Sequence, residues 1–236
     1  MNKVQLLLEN HIHTEEFGTI YFPTVDYLIK HGDAGYDRLI LPFALTTDML
    51  NIPEDYKIEI KVFDMFFQGF ILDVDINKTY YDLLLDSLRF YFRIEPIFDE
   101  KNYCIRVGDK YIHRNNFDEL ADIIIQVSKS KRIVVEKPPT FENDVQRDVY
   151  EKITEGRRKK NQNTAVSFAT IINIAMNGGN TYISPEEISK MTIFQLVSRY
   201  EFIVETDFWN INFDKYLAGE DPKKLDLIHW ASKIKL

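Results

Sequence analysis

The residues best suited to chemistry in this chain come as short pairs. His11 and His13 are two apart, so in a strand both imidazoles face one side, with Glu15 and Glu16 close behind. Imidazole plus carboxylate is a zinc-type ligand set, and His31 or His113 would have to supply a third ligand through the fold. Asp73-Val74-Asp75 puts two carboxylates on one strand face, as magnesium-assisted phosphoryl chemistry requires. Asp99-Glu100-Lys101 adds an acid and an amine, so a metal-dependent, nuclease-like constellation can be drawn. The opposing reading is that 37 acidic residues produce such pairs without purpose, and that Asp73 and Asp75 mark the polar end of an apolar segment. Cys104 has His113 downstream but no third member of a triad, and a single cysteine in a strand reads as a small buried hydrophobe. Being the only cysteine, it also excludes an intrachain disulfide. Gly178-Gly179 precedes no Lys-Ser or Lys-Thr, so it ends a helix instead of cradling phosphate. The expectation is a non-enzymatic protein with no catalytic residue, cofactor, bound metal or small-molecule substrate.

The strongest charge cluster is Arg157-Arg158-Lys159-Lys160. Read as a helix end it complements the negative pole of the macrodipole; read as a surface it is an electrostatic dock for an acidic partner protein. Trp209, beside Phe208 and Phe213, and Trp230 join these four as candidate partner-docking residues, with core packing as the alternative. Nucleic acid is a poor fit. The formal net charge is −8, with 16 basic against 23 acidic residues up to position 137 and 13 against 14 after it. A surface of that sign repels phosphate backbones. No apolar run approaches the roughly 20 residues that span a bilayer, and Val4–Leu8 runs at once into Glu9-Asn10-His11, unlike a signal peptide. The expectation is a product made in the cytoplasm that contacts neither membrane nor nucleic acid.

The elements that must position these residues are legible in outline. Residues 4–22 suggest one or two strands, and Thr24 caps a short helix ending at His31-Gly32. Residues 34–50 suggest a second helical segment interrupted by Pro42, and 57–72 an aromatic helix through Phe63, Phe66, Phe67 and Phe70. Lys78 to Phe92 is amphipathic at helical spacing. Strands at 92–98, 102–107 and 110–113 surround polar turns, and Asn115-Asn116 introduce a helix at Phe117–Ser128. Pro138-Pro139 marks a boundary between a mixed unit, 1–137, and a helical one, 138–236. The latter reads as a helix at 143–158, an Asn-rich break at 161–164, and an apolar helix at 165–177. Further helices start at Ser184-Pro185-Glu186-Glu187 and at Thr192, with a terminal one carrying Trp230. The fold class is α+β: short strands and a hairpin first, helices after. With 45% hydrophobic residues the core is ample; most of the 17 Phe, 13 Tyr and 2 Trp are expected in it, and a surplus on the surface would favour protein interfaces.

Three patches of the second half carry a family likeness. They are Asp148-Val149-Tyr150-Glu151-Lys152-Ile153-Thr154-Glu155-Gly156-Arg157-Arg158, Met191-Thr192-Ile193-Phe194-Gln195-Leu196, and Asp226-Leu227-Ile228-His229-Trp230. In these the chain resembles small structural and assembly proteins of tailed-bacteriophage tails, especially of phages with AT-rich Gram-positive hosts. The resemblance implies a structural role in the tail or baseplate, in many copies beside other tail proteins within the virion. The alternative it also implies is an assembly chaperone that leaves before maturation. It implies no catalytic residues.

Overall fold

The computed structural model describes residues 3–49, 61–67, 79–133, 139–141, 143–164 and 166–234. The fold is α+β, with two small antiparallel sheets in the first half and helices in the second. Helix α1 (Lys3–Leu8) opens the chain where a strand was expected. Its leucines are good helix formers without β-branching, and only Leu6 needs burial, so one helical turn satisfies them better than a strand. Strands β1 (His11–Thr14) and β2 (Gly18–Tyr21) then form a hairpin in which His11 faces Tyr21 and His13 faces Thr19.

Helix α2 (Val25–Ala44) consists of two helical segments joined at a kink at Gly32, where the first was expected to end. Thr24 caps it, its hydroxyl accepting from the Tyr27 N–H. Gly32 adopts φ 69°, a left-handed conformation in which a side chain would be strained, and bends the helix there. Pro42 lies within the last turn and does not break the helix, which ends at Leu45. Beyond the bend the helix buries two faces. Leu39 and Phe43 enter one core; Val25, Leu28, Tyr36, Ile40 and Ala44 enter another.

The first core joins α1, the hairpin and α2 to α3 (Val62–Met65), α4 (Tyr80–Phe92), strands β3 (Pro96–Asp99), β4 (Cys104–Val107) and β5 (Lys110–Ile112), and α5 (Phe117–Val127). Phe117 lies at its centre, 5.9 Å from Phe43, 5.7 Å from Phe63 and 5.4 Å from Phe66, ring centre to ring centre. Of the expected aromatic helix, Phe63 and Phe66 are buried, while Phe70 falls outside the described residues. Thr79 and Asp82 cap α4 reciprocally, which fixes its start. Asn116 does not cap α5 as expected. Its side chain instead accepts from the His113 N–H and donates to the Tyr111 carbonyl, closing the turn out of β5. Two buried phenols pin three helices together, Tyr36 donating to the Ser128 carbonyl at 2.6 Å and Tyr91 lying 2.9 Å from the Ser128 hydroxyl.

The second core is built on the other face of α2. It receives Ala175 from α7 (Phe168–Asn177), Ile188 from α8 (Pro185–Lys190), and Ile193 and Leu196 from α9 (Ile193–Leu217). Residues from both sides of Pro138-Pro139 therefore share this cluster, while Pro138 itself lies outside the described residues. Backbone pairing reinforces it, with the Val25 N–H donating to Met191 and the Ile193 N–H to Pro23. A methyl group on Gly178 would meet the Ile174 carbonyl at 2.7 Å and Ile203 at 2.9 Å, so only glycine lets α7 approach α9 this closely.

Two helices run further than expected. Helix α6 (Asp144–Thr164) continues through the Asn-rich stretch, because Asn and Gln weaken a helix without stopping it. Helix α9 takes in Phe208, Trp209 and Phe213, expected to lie between helices, and runs for 25 residues. The chain then returns along α9 through a short turn at Pro222–Lys224 and the four-residue α10 (Trp230–Lys233).

Candidate functional site: exposed aromatic and basic helices

Among the described residues the expected histidine cluster does not assemble. On the hairpin, the Nδ1 atoms of His11 and His13 lie 2.9 Å from Asn10 Oδ1 and 3.1 Å from Thr19 Oγ1, local partners for exposed rings. Among the described residues no three His, Cys, Asp or Glu side chains come together as a metal would need. Asp73 and Asp75 lie outside the described residues. Asp99 shapes the β3–β4 turn by accepting from the backbone N–H groups of Lys101 and Asn102 and from the Asn102 amide, bonds that hold its carboxyl below the ordinary range. Cys104 and His113 line one open cavity of about 660 Å³ with Tyr103, Tyr111 and Arg114. Burial, aided by the Asp99 charge, pushes the thiol up, the opposite of what activates a nucleophile. His113 Nδ1 accepts from the Asn115 N–H at 3.1 Å.

The basic run lies within α6 and not at its end. Four residues of α6 follow Lys160, so positions 157–160 precede the final turn, where the macrodipole acts most strongly. The helix-end explanation therefore fails. Arg157 is exposed, and Lys159 is exposed with its ammonium 3.4 Å from Glu155. Arg158 and Lys160 lie on the α6 backbone, their side chains outside the described residues. No described side chain of α6 is buried.

Trp209 and Trp230 are both half-buried. Trp209 stacks on Phe213 with centroids 5.0 Å apart and planes at 10°, and it meets His229 at 5.1 Å. Trp230 meets the edge of Phe202 at 4.9 Å. Core packing of Trp230, the alternative to docking, is therefore partial: Phe202 of α9 meets one side of the indole. Lys233 locks this returning tail down. It pairs with Asp226, lies 3.8 Å from Glu205, and sits 5.2 Å over the Phe208 ring. Beside Trp230 opens a groove of about 600 Å³, lined by Leu7, Met191, Ser198, Phe202 and Ile234 among others.

The sequence reading passed over the outer face of α9. Phe208 is 48% exposed and Ile211 54%, in line with Val204 at i, i+4 and i+7. Phe213, Tyr216 and Leu217 are exposed around the same end. The signal was present in the residues: over 193–217 the apolar positions are too many for one core-facing stripe.

Residues 158–235 match the family model of the YomV second domain. That family is phage-associated. The match starts within the basic run and takes in α7, α8, the whole of α9 and the returning tail, so the exposed aromatic face lies wholly inside it. The comparison with curated proteins and that with solved structures each return no match. Among the described residues no helix is long and apolar enough to cross a membrane.

Proposed function

We propose that the chain is a non-enzymatic structural component of a bacteriophage virion, in the tail or baseplate, held there by protein–protein contacts through α9. One observation carries this reading. The helix at the heart of the phage-associated segment leaves Val204, Phe208 and Ile211 exposed along one face, with Phe213 and Leu217 exposed elsewhere around its end. Large exposed apolar clusters mark interaction sites, and aromatic side chains supply most interface hot spots. The groove beside Trp230 is open and mostly apolar, a shape that receives a partner's side chain as readily as a small molecule.

Quantitative mass spectrometry of purified virions tests the reading. The chain at fixed stoichiometry to known tail proteins supports a structural subunit. Its absence from mature particles, with recovery on tail precursors, would replace that reading with an assembly chaperone. Its absence from both would end the proposal.

A further inference from the structure

The groove beside Trp230 has a polar side that the chain's own bonds leave partly unused. Its apolar walls come from Leu7, Phe202, Trp230 and Ile234 among others, and its volume of about 600 Å³ falls within the roughly 300–1,000 Å³ of small-molecule sites. Gln195, Ser198 and Arg199 line it from α9 together with Phe202. These four stand at i, i+3, i+4 and i+7, so they share one face of the helix, opposite the face of Val204, Phe208 and Ile211. The groove is therefore independent of the contact proposed for that outer face.

The polar atoms of the lining can be accounted for one by one. Both ends of Gln195 are engaged, its amide donating to the Leu7 carbonyl and its oxygen accepting from the Thr192 N–H, each at 2.9 Å. Arg199 donates from Nε to the Ala175 carbonyl at 2.7 Å, and from one Nη to the carbonyl and hydroxyl oxygens of Thr181 at 3.0 Å. Ala175 lies in the last turn of α7, whose final carbonyls lack helical partners, so Arg199 closes that helix end. That duty explains two of its three nitrogens and leaves the other Nη over; the oxygens it meets are all uncharged. Ser198 is only 5% exposed, and its hydroxyl has no partner among the described residues. A buried hydroxyl without a partner is costly, and native chains hold few of them. The indole N–H of Trp230 is a further donor.

What remains can donate, and the only charged side chain in the lining is positive. We infer that the groove binds a small amphipathic carboxylate, its hydrocarbon part against Phe202 and Trp230 and its carboxylate accepting from Ser198 and Arg199. A neutral ligand would leave the guanidinium's charge uncompensated, and an ammonium would be repelled by it.

The test is isothermal titration calorimetry of the purified full chain at about pH 7.5, where the acid probe is ionised. Three probes share one chain length: octanoate, 1-octanol and octylammonium. Octanoate has about ten heavy atoms, enough for a dissociation constant of roughly 1 mM or below. Octanol should bind about tenfold more weakly, and octylammonium should give no measurable heat. Ser198→Ala removes a hydroxyl that the fold does not use, so the thermal midpoint should not fall while octanoate binding weakens about threefold to tenfold. Ala231→Trp, at an exposed position of the tail, fills the groove and should abolish octanoate binding with circular dichroism unchanged. No heat with octanoate up to about 10 mM overturns the inference. So does octanol or octylammonium binding as tightly as octanoate, or octanoate binding that either variant leaves unchanged.

Discussion

The chain uses the same aromatic residue types in two ways. In the first core Phe43, Phe63, Phe66, Tyr91 and Phe117 are almost wholly buried and meet edge to face, stacked or tilted. On α9 and the tail, Phe202, Phe208, Phe213 and Tyr216 have ring partners or a cation above them and still show a large part of their surface to solvent. Composition does not separate the two sets. What separates them is the number of elements arriving from other directions: rings from α2 and from α3 and its end close around Phe117 of α5, whereas among the described residues only the tail lies over the far half of α9. The same side chain is core where several elements converge and interface where one helix stands nearly alone.

That contrast predicts graded effects of substitution. Phe117→Ala empties the point where three aromatic rings meet and should cost about 3–5 kcal/mol, seen as a large fall in thermal midpoint or loss of folded protein. Trp230→Ala removes a half-buried ring that meets Phe202 and His229 and should cost about 1–2 kcal/mol. Chemical denaturation would register it as a modest shift of midpoint in a folded chain. A loss as large as that of Phe117→Ala would mean that the tail belongs to the core.

A smaller and local effect is expected in acid. Lys233, with a backbone bond from Ile228, holds the Asp226 carboxyl below the ordinary carboxylate range. A carboxyl lowered by folding stabilises the folded tail above its unfolded pKa, and that contribution disappears as pH falls through the lowered value. The tail should therefore loosen only below about pH 4. The indole fluorescence of Trp209 and Trp230 should report it before circular dichroism changes. Fluorescence unchanged down to the global acid transition would show that the Asp226–Lys233 pair contributes nothing to docking.

The smallest stability effect belongs to Phe208→Ser with Ile211→Ser. Both positions are about half exposed, so thermal stability should move by no more than roughly 0.5 kcal/mol per site. Core-like destabilisation would erase the distinction between the two regions.

The features legible in the sequence were those decided by near neighbours. Ser184 with Glu187 and Thr192 with Gln195 form reciprocal caps where the chain announces helix starts, and the β3–β4–β5 strands follow from alternation around polar turns. Features decided at a distance were not legible. Asn161 to Thr164 looked like a break, yet the helix crosses them, because a few weak helix formers cost less than stopping. Positions 157–160 were visible as a charge cluster, but their distance from the true helix end was not. The exposure of Phe208 and Ile211 depends on which elements fail to cover α9, and one sequence does not encode that locally.

The central claim is that the outer face of α9 is a contact between proteins of a phage particle. Competition during assembly tests it directly. Cells producing phage would express wild-type chain and the Phe208→Ser, Ile211→Ser chain at equal levels, and the two would be counted by mass spectrometry in purified particles. The account predicts that particles take up the wild-type chain in large excess although both chains are folded. Equal incorporation of the two would contradict it.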